Sequence, residues 1–514
     1  MKRSTFLLCA AILSAAPGFV RAAAENDYAV VVSTATAKDH DWAKVVAALK
    51  EKHHAAVVTG EDPFGTESRD LLRKLQPRYV AFVARPAEVG VDFVRKAHLL
   101  SREMDADPYD DFLWGIVTAA NADAALRIAQ VQKPLIVRRA LSTTGVNAAP
   151  LDDCLTLSDG KPGDFMLKEH GKVTHGTKET DKVSSHERFL GYYNKHDVDL
   201  LVTSSHSTEA NLEMPFTDGS IVISGEHMFM VDKPGLYSFV KAASGNARSG
   251  LWFQSPGGAA RRAAWAKRSK APELRHAMNP KIYIAAGNCL MGDVMQTADS
   301  LVIDWLTWQG VDQFAGYTVP TWFGKGGWGT LKLWQDYGGR NDLAEAFFLN
   351  NQCIVHELVT KFPDAARFEL SETDYGILCG ESRAKPSQAL IDLQSVLRKT
   401  DPKQHKELMG CLYDRDVVAF YGDPAWQARL DPSKAASPVK WRWSGKPGRR
   451  VLEIECVKDF KKDELPIFLP ERMKQSKITA DGGLKPFLND EFLLISQPDL
   501  QAGKTYRIEF GPAS

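Results

Sequence analysis

Residues 281–293 read KIYIAAGNCLMGD. Within them Ile282-Tyr283-Ile284-Ala285-Ala286 is a short run of apolar and small residues, the composition of a buried strand. The run stops at Gly287-Asn288, and the next residue is Cys289. Open α/β sheets hold their ligands outside the carboxyl ends of their strands, so a Cys in that position is a candidate nucleophile. A second stretch has the same design. Asp199-Leu200-Leu201-Val202-Thr203 is an apolar strand that runs through Ser204-Ser205 into His206. If the two strands lie side by side, a thiol and an imidazole stand at neighbouring strand ends.

Upstream of these stretches the chain alternates. Strands are expected at Tyr28 to Ser33, Ala55 to Thr59, Arg78 to Val83 and Phe112 to Val117. Helices are expected between them at Asp41 to Lys52, Ser68 to Leu75, Val91 to Met104 and Asn121 to Gln130, with Asn121 as the cap of the last. Such alternation predicts a doubly wound, mostly parallel α/β sheet. Ser33-Thr34-Ala35-Thr36-Ala37 follows the first strand where a dinucleotide-binding fold carries its glycines, which argues against a Rossmann cofactor. Residues 152–194 are polar and rich in Gly and Lys and read as surface loops, with some helix near Val183 to Tyr193. A long insertion separates His206 from Cys289. It holds a strand at Ser220 to Ser224, a loop at Ser249 to Gly258 and a basic helix at Ala259 to Arg268. After Cys289 come a helix at Ala298 to Gly310, a strand at Phe314 to Val319, and TWFGKGGWG at 321–329, read as a loop of aromatics and glycines. Helices at Leu343 to Lys361 and Pro386 to Lys399 and a strand at Val417 to Tyr421 follow. Beyond Lys434 short strands separated by turns predict a small C-terminal β-sandwich of roughly 80 residues.

The length of 514 residues exceeds one ordinary core and predicts two to three domains. The expected organisation is a signal peptide over 1–24, an N-terminal α/β subdomain over 25–150, a catalytic α/β subdomain over 151–434 and the sandwich over 435–514. Met1-Lys2-Arg3, the apolar run from Phe6 to Val20 and the small residues Ala22-Ala23-Ala24 have the pattern of a secretory signal, so an exported, periplasmic or extracellular protein is expected. No later apolar run is long enough to span a bilayer. Lys and Arg number 64, as do Asp and Glu, and this balance argues against a nucleic-acid partner. Six cysteines follow the signal segment with no CxxC or zinc spacing. Cys353, Cys379 and Cys411 lie in one helical region and could include one disulfide.

A cysteine nucleophile must be a thiolate near neutral pH, and a neighbouring histidine both favours that form and later protonates the leaving group. A sharp turn at a strand end also aims backbone N–H groups at one spot, as a tetrahedral intermediate requires. Cys289 and His206 fit these needs; Gly287, Asn288 and Gly292 keep the loop tight, and Asp293 is placed to cap a following helix or to orient the site. Glu209 and Glu213 lie close to His206 in sequence. The order of strand, His, spacer, strand, small-residue turn and Cys resembles the caspase-like superfamily of cysteine peptidases. Within it, Cys289-Leu290-Met291-Gly292-Asp293, the loop with Trp322 and Trp328, and Phe420-Tyr421-Gly422-Asp423-Pro424 are similar to the gingipain family. The resemblance implies two caspase-like subdomains and a terminal immunoglobulin-like sandwich. It further implies Cys289 as nucleophile, His206 as general base and acid, and the N–H groups of Cys289 and Ser207 as oxyanion donors. Trp322, Phe323 and Trp328 would form the substrate pocket, and a peptide or protein would be the substrate. Ser205-His206-Ser207 departs from the family's Gly-His-Gly. No cofactor is required for this chemistry, and a structural calcium ion stays open.

Two other classes compete. A metal-dependent hydrolase would use His170, His175, His186, His196 and His206 with Asp197 and Asp199, but their spacing matches no compact site. A catalytically degenerate binding protein on the same fold is favoured by the Ser-His-Ser departure and opposed by the presence of both Cys289 and His206. A serine hydrolase is disfavoured by the lack of a GxSxG elbow. For a pocket that accepts a basic side chain, Glu209, Asp304 and Asp312 are the candidate carboxylates.

Overall fold

Strands buried on both faces need apolar side chains at every position, and the chain supplies several such runs. In the computed structural model, which describes residues 27–244, 258–380, 382–474 and 476–512, these runs assemble into one twelve-stranded sheet. Its strands, in chain order, are β1 (Tyr28–Ser33), β2 (Ala56–Gly60), β3 (Tyr79–Val83), β4 (Leu113–Val117), β5 (Arg139–Ser142), β6 (Asp153–Leu157), β7 (Phe165–Glu169), β8 (Lys172–Gly176), β9 (Leu200–Thr203), β10 (Lys281–Ala285), β11 (Val311–Tyr317) and β12 (Val418–Tyr421). Across the sheet they run β2-β1-β3-β4-β12-β11-β10-β9-β5-β6-β7-β8.

From β2 to β12 the neighbours are parallel, and from β11 to β6 they are parallel again. The two halves meet at β11 and β12, which pair antiparallel from Phe314↔Tyr421 to Tyr317↔Val418. The protein is therefore mixed α/β around a large, mostly parallel sheet. Helices Trp42–His53, Ala122–Gln130 and Leu301–Trp308 pack together as one group on it, and Lys325–Gln335, Leu343–Lys361 and His405–Asp414 as another. Ala122–Gln130 starts as expected, with Asn121 Oδ1 accepting from Ala124 N–H at 3.0 Å. The C-terminal stretch forms antiparallel sheets, four-stranded around Arg449–Cys456 and three-stranded around Phe492–Ser496.

Several expectations need correction. Residues 152–194 are not only loops and helix: they supply β6, buried at every position, and the outer strands β7 and β8, whose largely exposed or half-buried polar residues read as loop. Residues 321–329 are only half loop. Helix Lys325–Gln335 begins within them, and its glycines serve close packing. A Cβ on Gly327 would fall 2.3 Å from the Ala286 carbonyl oxygen, and one on Gly329 would fall inside the Asn350 carboxamide. Ser33-Ala37 opens a short helix, Thr34–Lys38, capped by Ser33 Oγ. Cys353, Cys379 and Cys411 are all free thiols, as are the other described cysteines. The insertion after His206 adds a three-stranded antiparallel sheet, Asn211–Glu213, Ser220–Ser224 and His227–Val231, with helices Lys233–Ser244 and Gly258–Ala266. The signal segment and most of the expected loop from Ser249 lie outside the described residues. Among the described residues, no helix is long and apolar enough to cross a membrane.

One buried carboxylate ties the end of the sheet to its beginning. Gly422, at φ +109°, turns the chain after β12 where a Cβ would strike the Asp312 carbonyl oxygen at 2.1 Å. Asp423, which follows it, is fully buried. Tyr28 O–H donates to its Oδ1 at 2.8 Å, and Lys52 Nζ and His53 Nε2 lie 2.7 Å from its Oδ2. Burial alone would raise this carboxyl, but Lys52 and His53 outweigh it and hold it well below the usual carboxylate range. Removing one partner of a buried ionic network strands the others. Asp423→Ala is expected to lower unfolding free energy by about 3–5 kcal/mol, read as a fall in the urea midpoint with an unchanged slope.

Candidate functional site

Strands β9 and β10 are neighbours and parallel, paired from Leu200↔Ile282 to Thr203↔Ala285. Parallel neighbours lie about 4.8 Å apart. His206 follows Thr203 by three residues and Cys289 follows Ala285 by four, so the shared register carries both past the same sheet edge. The carboxyl end of β5 is alongside: Thr143 N–H donates to Val202 O at 2.9 Å, and Ser204 N–H to Thr143 Oγ1 at 3.1 Å.

Asn288 fastens the two strand ends. It is fully buried, accepts from Thr203 Oγ1 at 2.5 Å and donates through Nδ2 to Ser205 O at 2.9 Å. Ser207 adds a second tie, its hydroxyl donating to Cys289 O at 2.6 Å. Gly287 and Gly292 are required by close approach. A Cβ on Gly287 would meet Ser204 Oγ at 2.3 Å, and one on Gly292 would meet Gly316 O at 2.2 Å. Leu290 sits in the left-handed region at φ 59°, which swings the chain sharply away after Cys289.

The thiol is partly exposed, and its Sγ receives the Thr321 N–H at 3.2 Å. Thr321 Oγ1 in turn donates to Asn288 O at 3.0 Å. The Thr321 main chain thus places a hydrogen-bond donor on the sulfur. Sequence reasoning missed Thr321 because its contribution is a main-chain donor, which no residue type announces. The N–H groups of Cys289 and Ser207 have no acceptor among the described residues. Both therefore remain able to donate to a bound oxygen.

His206 is exposed, and among the described residues no hydrogen bond joins its ring to Cys289. Its backbone is fixed: Glu213 N–H donates to His206 O at 2.9 Å, and Thr208 N–H donates to Asn211 O at 2.9 Å. These bonds pair His206 directly opposite Glu213, which puts the two side chains on one face of the hairpin. Glu213 Oε2 is buried without a hydrogen-bond partner. Burial raises the Glu213 carboxyl, and the nearby imidazole of His206 pulls it back.

The aromatic residues divide. Trp328, 37 % exposed, stands beside Gly287, within 3.0 Å of where its Cβ would be. Trp322 is 62 % exposed and donates its indole N–H to Cys379 Sγ at 3.3 Å. Phe323 packs on Tyr413, with ring centroids 5.5 Å apart, and so belongs to the packing rather than to an open wall. Asp312 is ion-paired with Arg127 at the start of β11, whereas the Cys289 end adjoins the finish of that strand. Asp304 is buried on Leu301–Trp308 near the charge of Arg262, and the Glu209 main-chain oxygen accepts from Leu301 N–H. The five histidines of the metal reading form no ligand cluster among the described residues.

Asp293 caps no helix. Its Oδ1 accepts from Met295 N–H at 2.9 Å, and the next helix starts only at Leu301. Its side chain borders an acidic recess of about 460 Å³, also lined by Ser33, Glu61, Asp62, Glu88 and Glu372, that reaches neither Cys289 nor His206. Burial pushes the Asp293 carboxyl up to about 8; the Met295 N–H opposes the rise, and Glu209 and Glu372 add to it.

No family model matches this chain, and no curated protein or solved structure matches it significantly.

The raised Asp293 carboxyl has a sign that can be measured. Between the ordinary Asp pKa of about 4 and the folded value of about 8, the folded state binds more protons than the unfolded one. Its contribution to stability is complete below about pH 4 and is lost as pH rises through about 8, by up to ~1.4 kcal/mol per unit. Asp293→Asn keeps an acceptor for Met295 N–H and removes the ionisation. The variant is expected to be more stable than wild type at pH 8, with the gap closing toward pH 4 in urea unfolding at a series of pH values.

Proposed function

We propose that the protein is a secreted cysteine peptidase that cleaves peptide bonds through Cys289 and His206, on two caspase-like subdomains followed by an immunoglobulin-like sandwich of the gingipain type. The observation that carries this reading is the parallel pairing of β9 with β10, which sets His206 and Cys289 at adjacent strand ends beside two N–H groups that have no acceptor among the described residues. The Thr321 N–H on Sγ supports it.

In the proposed reaction His206 takes the Cys289 proton, and the thiolate, held by Thr321 N–H, attacks the scissile carbonyl carbon. The C–S bond forms as the carbonyl π pair moves onto oxygen, where the N–H groups of Cys289 and Ser207 receive it. Collapse breaks the C–N bond, and His206 delivers its proton to the leaving amine. Water, deprotonated by the same imidazole, then hydrolyses the thioester and restores the thiol. Glu213 acts as a positioning residue that orients the His206 ring from the opposite strand. Trp328 and Trp322 border the substrate.

The second reading is a degenerate binding protein on the same fold. It is favoured by the exposed His206 ring with no hydrogen bond to Cys289 among the described residues. The two readings separate on turnover. Purified protein incubated with a mixture of unfolded proteins is expected to give new peptide termini by mass spectrometry, and Cys289→Ala to abolish them, a loss of at least about 10³-fold. Glu213→Gln is expected to lower kcat by about 10-fold with KM unchanged and to shift the acidic limb of the pH–rate profile. Cleavage unchanged in Cys289→Ala, or no cleavage by wild type, rejects the peptidase.

A further inference from the structure

Far from Cys289, the segment after helix Val91–Ser101 includes Asp105-Ala106-Asp107-Pro108-Tyr109-Asp110-Asp111. It lies against the C-terminal sheets. Arg472 donates to Asp111 O at 2.6 Å, and Asn489 Nδ2 donates to Asp107 Oδ2 at 2.8 Å. The residue after Asn489 brings a carboxylate of its own. One carboxylate oxygen from each of Asp105, Asp111 and Asp490 lies within 4.8 Å of the other two. Asp110 is turned away, toward Ser101 Oγ at 2.5 Å and Arg102 at 4.0 Å.

Acidic clusters are common, and this one alone would mean little. The second observation is Asp111 itself. The residue is only 6 % exposed, and its Oδ2 is buried with no hydrogen-bond partner among the described residues. Buried carboxylate oxygens are ordinarily bonded to a donor or held by a metal. Neither nearby cation bonds that oxygen. Arg472 Nε is 2.5 Å from Glu491, and Lys474 Nζ is 3.5 Å from Asp490 Oδ2. Burial, with Asp105 and Asp107 adding like charge, pushes the Asp111 carboxyl up to about 8.

We propose that Asp105, Asp111 and Asp490 bind one calcium ion that fastens the first half of the sheet to the C-terminal sheets. Two oxygens on one calcium, each at about 2.4 Å, are separated by at most about 4.8 Å, and each pair of these carboxylates falls within that limit. Three hard oxygen donors from separate segments suit the irregular coordination of calcium better than the strict octahedron of magnesium. Asp105 is exposed, so water completes the shell from that side, and Lys474 moves off Asp490 when the ion enters. The ion then links residues 105–111 to residue 490 across the length of the chain.

The experiment uses the full protein, stripped with EGTA and titrated with CaCl2 by calorimetry, with thermal unfolding in millimolar CaCl2 or MgCl2. One calcium per chain and a rise in Tm of roughly 3–6 °C are expected, with little response to magnesium. Asp490→Asn and the exposed Asp105→Asn are each expected to abolish the rise, while the stripped variants melt at or above the stripped wild type because like charge is removed. No calcium heat and no Tm change in wild type overturn the proposal. So does a full calcium response in both variants, and an equal response to magnesium overturns the choice of ion.

Discussion

The pairing of Leu200–Thr203 with Lys281–Ala285 is the constraint on which the rest of the site depends. Side chains alternate faces along a strand, so a slip of one residue would turn every side chain of one strand over. Both strands are buried at every position, and such a slip would also displace Asn288 from Thr203 and Ser205. The register that packs the core is thus the register that sets His206 and Cys289 at neighbouring strand ends.

The site also depends on contacts made far along the chain. Strand β11 continues the sheet beyond Cys289, and the segment after it returns Thr321 to the sulfur and Trp328 to Gly287. Helix Lys325–Gln335 reaches the Cys289 strand only because Gly327 has no side chain. The antiparallel seam between β11 and β12 then joins this half to the other, and Asp423 anchors the seam to Tyr28, Lys52 and His53. The proposed nucleophile therefore sits on a scaffold whose two halves meet at the β11–β12 seam, with β12 held to β1 and helix Trp42–His53 by a buried ionic network.

Much of this was legible in the sequence, for identifiable reasons. Strands buried on both faces carry continuous apolar runs, so β1, β3, β9 and β10 stood out. Helix Leu343–Lys361 lies at the positions its periodicity indicated. The edge strands β7 and β8 did not stand out, because polar residues facing water look like loop. The glycines of 321–329 were misleading: glycine signals turns, but here it permits helix-to-strand contact. At the candidate site, Cys289, His206 and Asn288 were found because their side-chain chemistry is visible in the residue type. Thr321 was not, because what it brings to Cys289 is a backbone N–H, and Glu213 gained its place only from the hairpin that pairs it with His206.

The central claim is that His206 and Cys289 work as a pair. Its most direct measurement is the rate of Cys289 alkylation by iodoacetamide as a function of pH, resolved from the other free thiols by mass spectrometry, in wild type and in His206→Ala. An ordinary thiol titrates near 8.5, so a coupled Cys289 is expected to react quickly well below that pH and to lose this reactivity in the variant. Slow labelling that follows an ordinary thiol titration, identical in both proteins, would contradict the pairing.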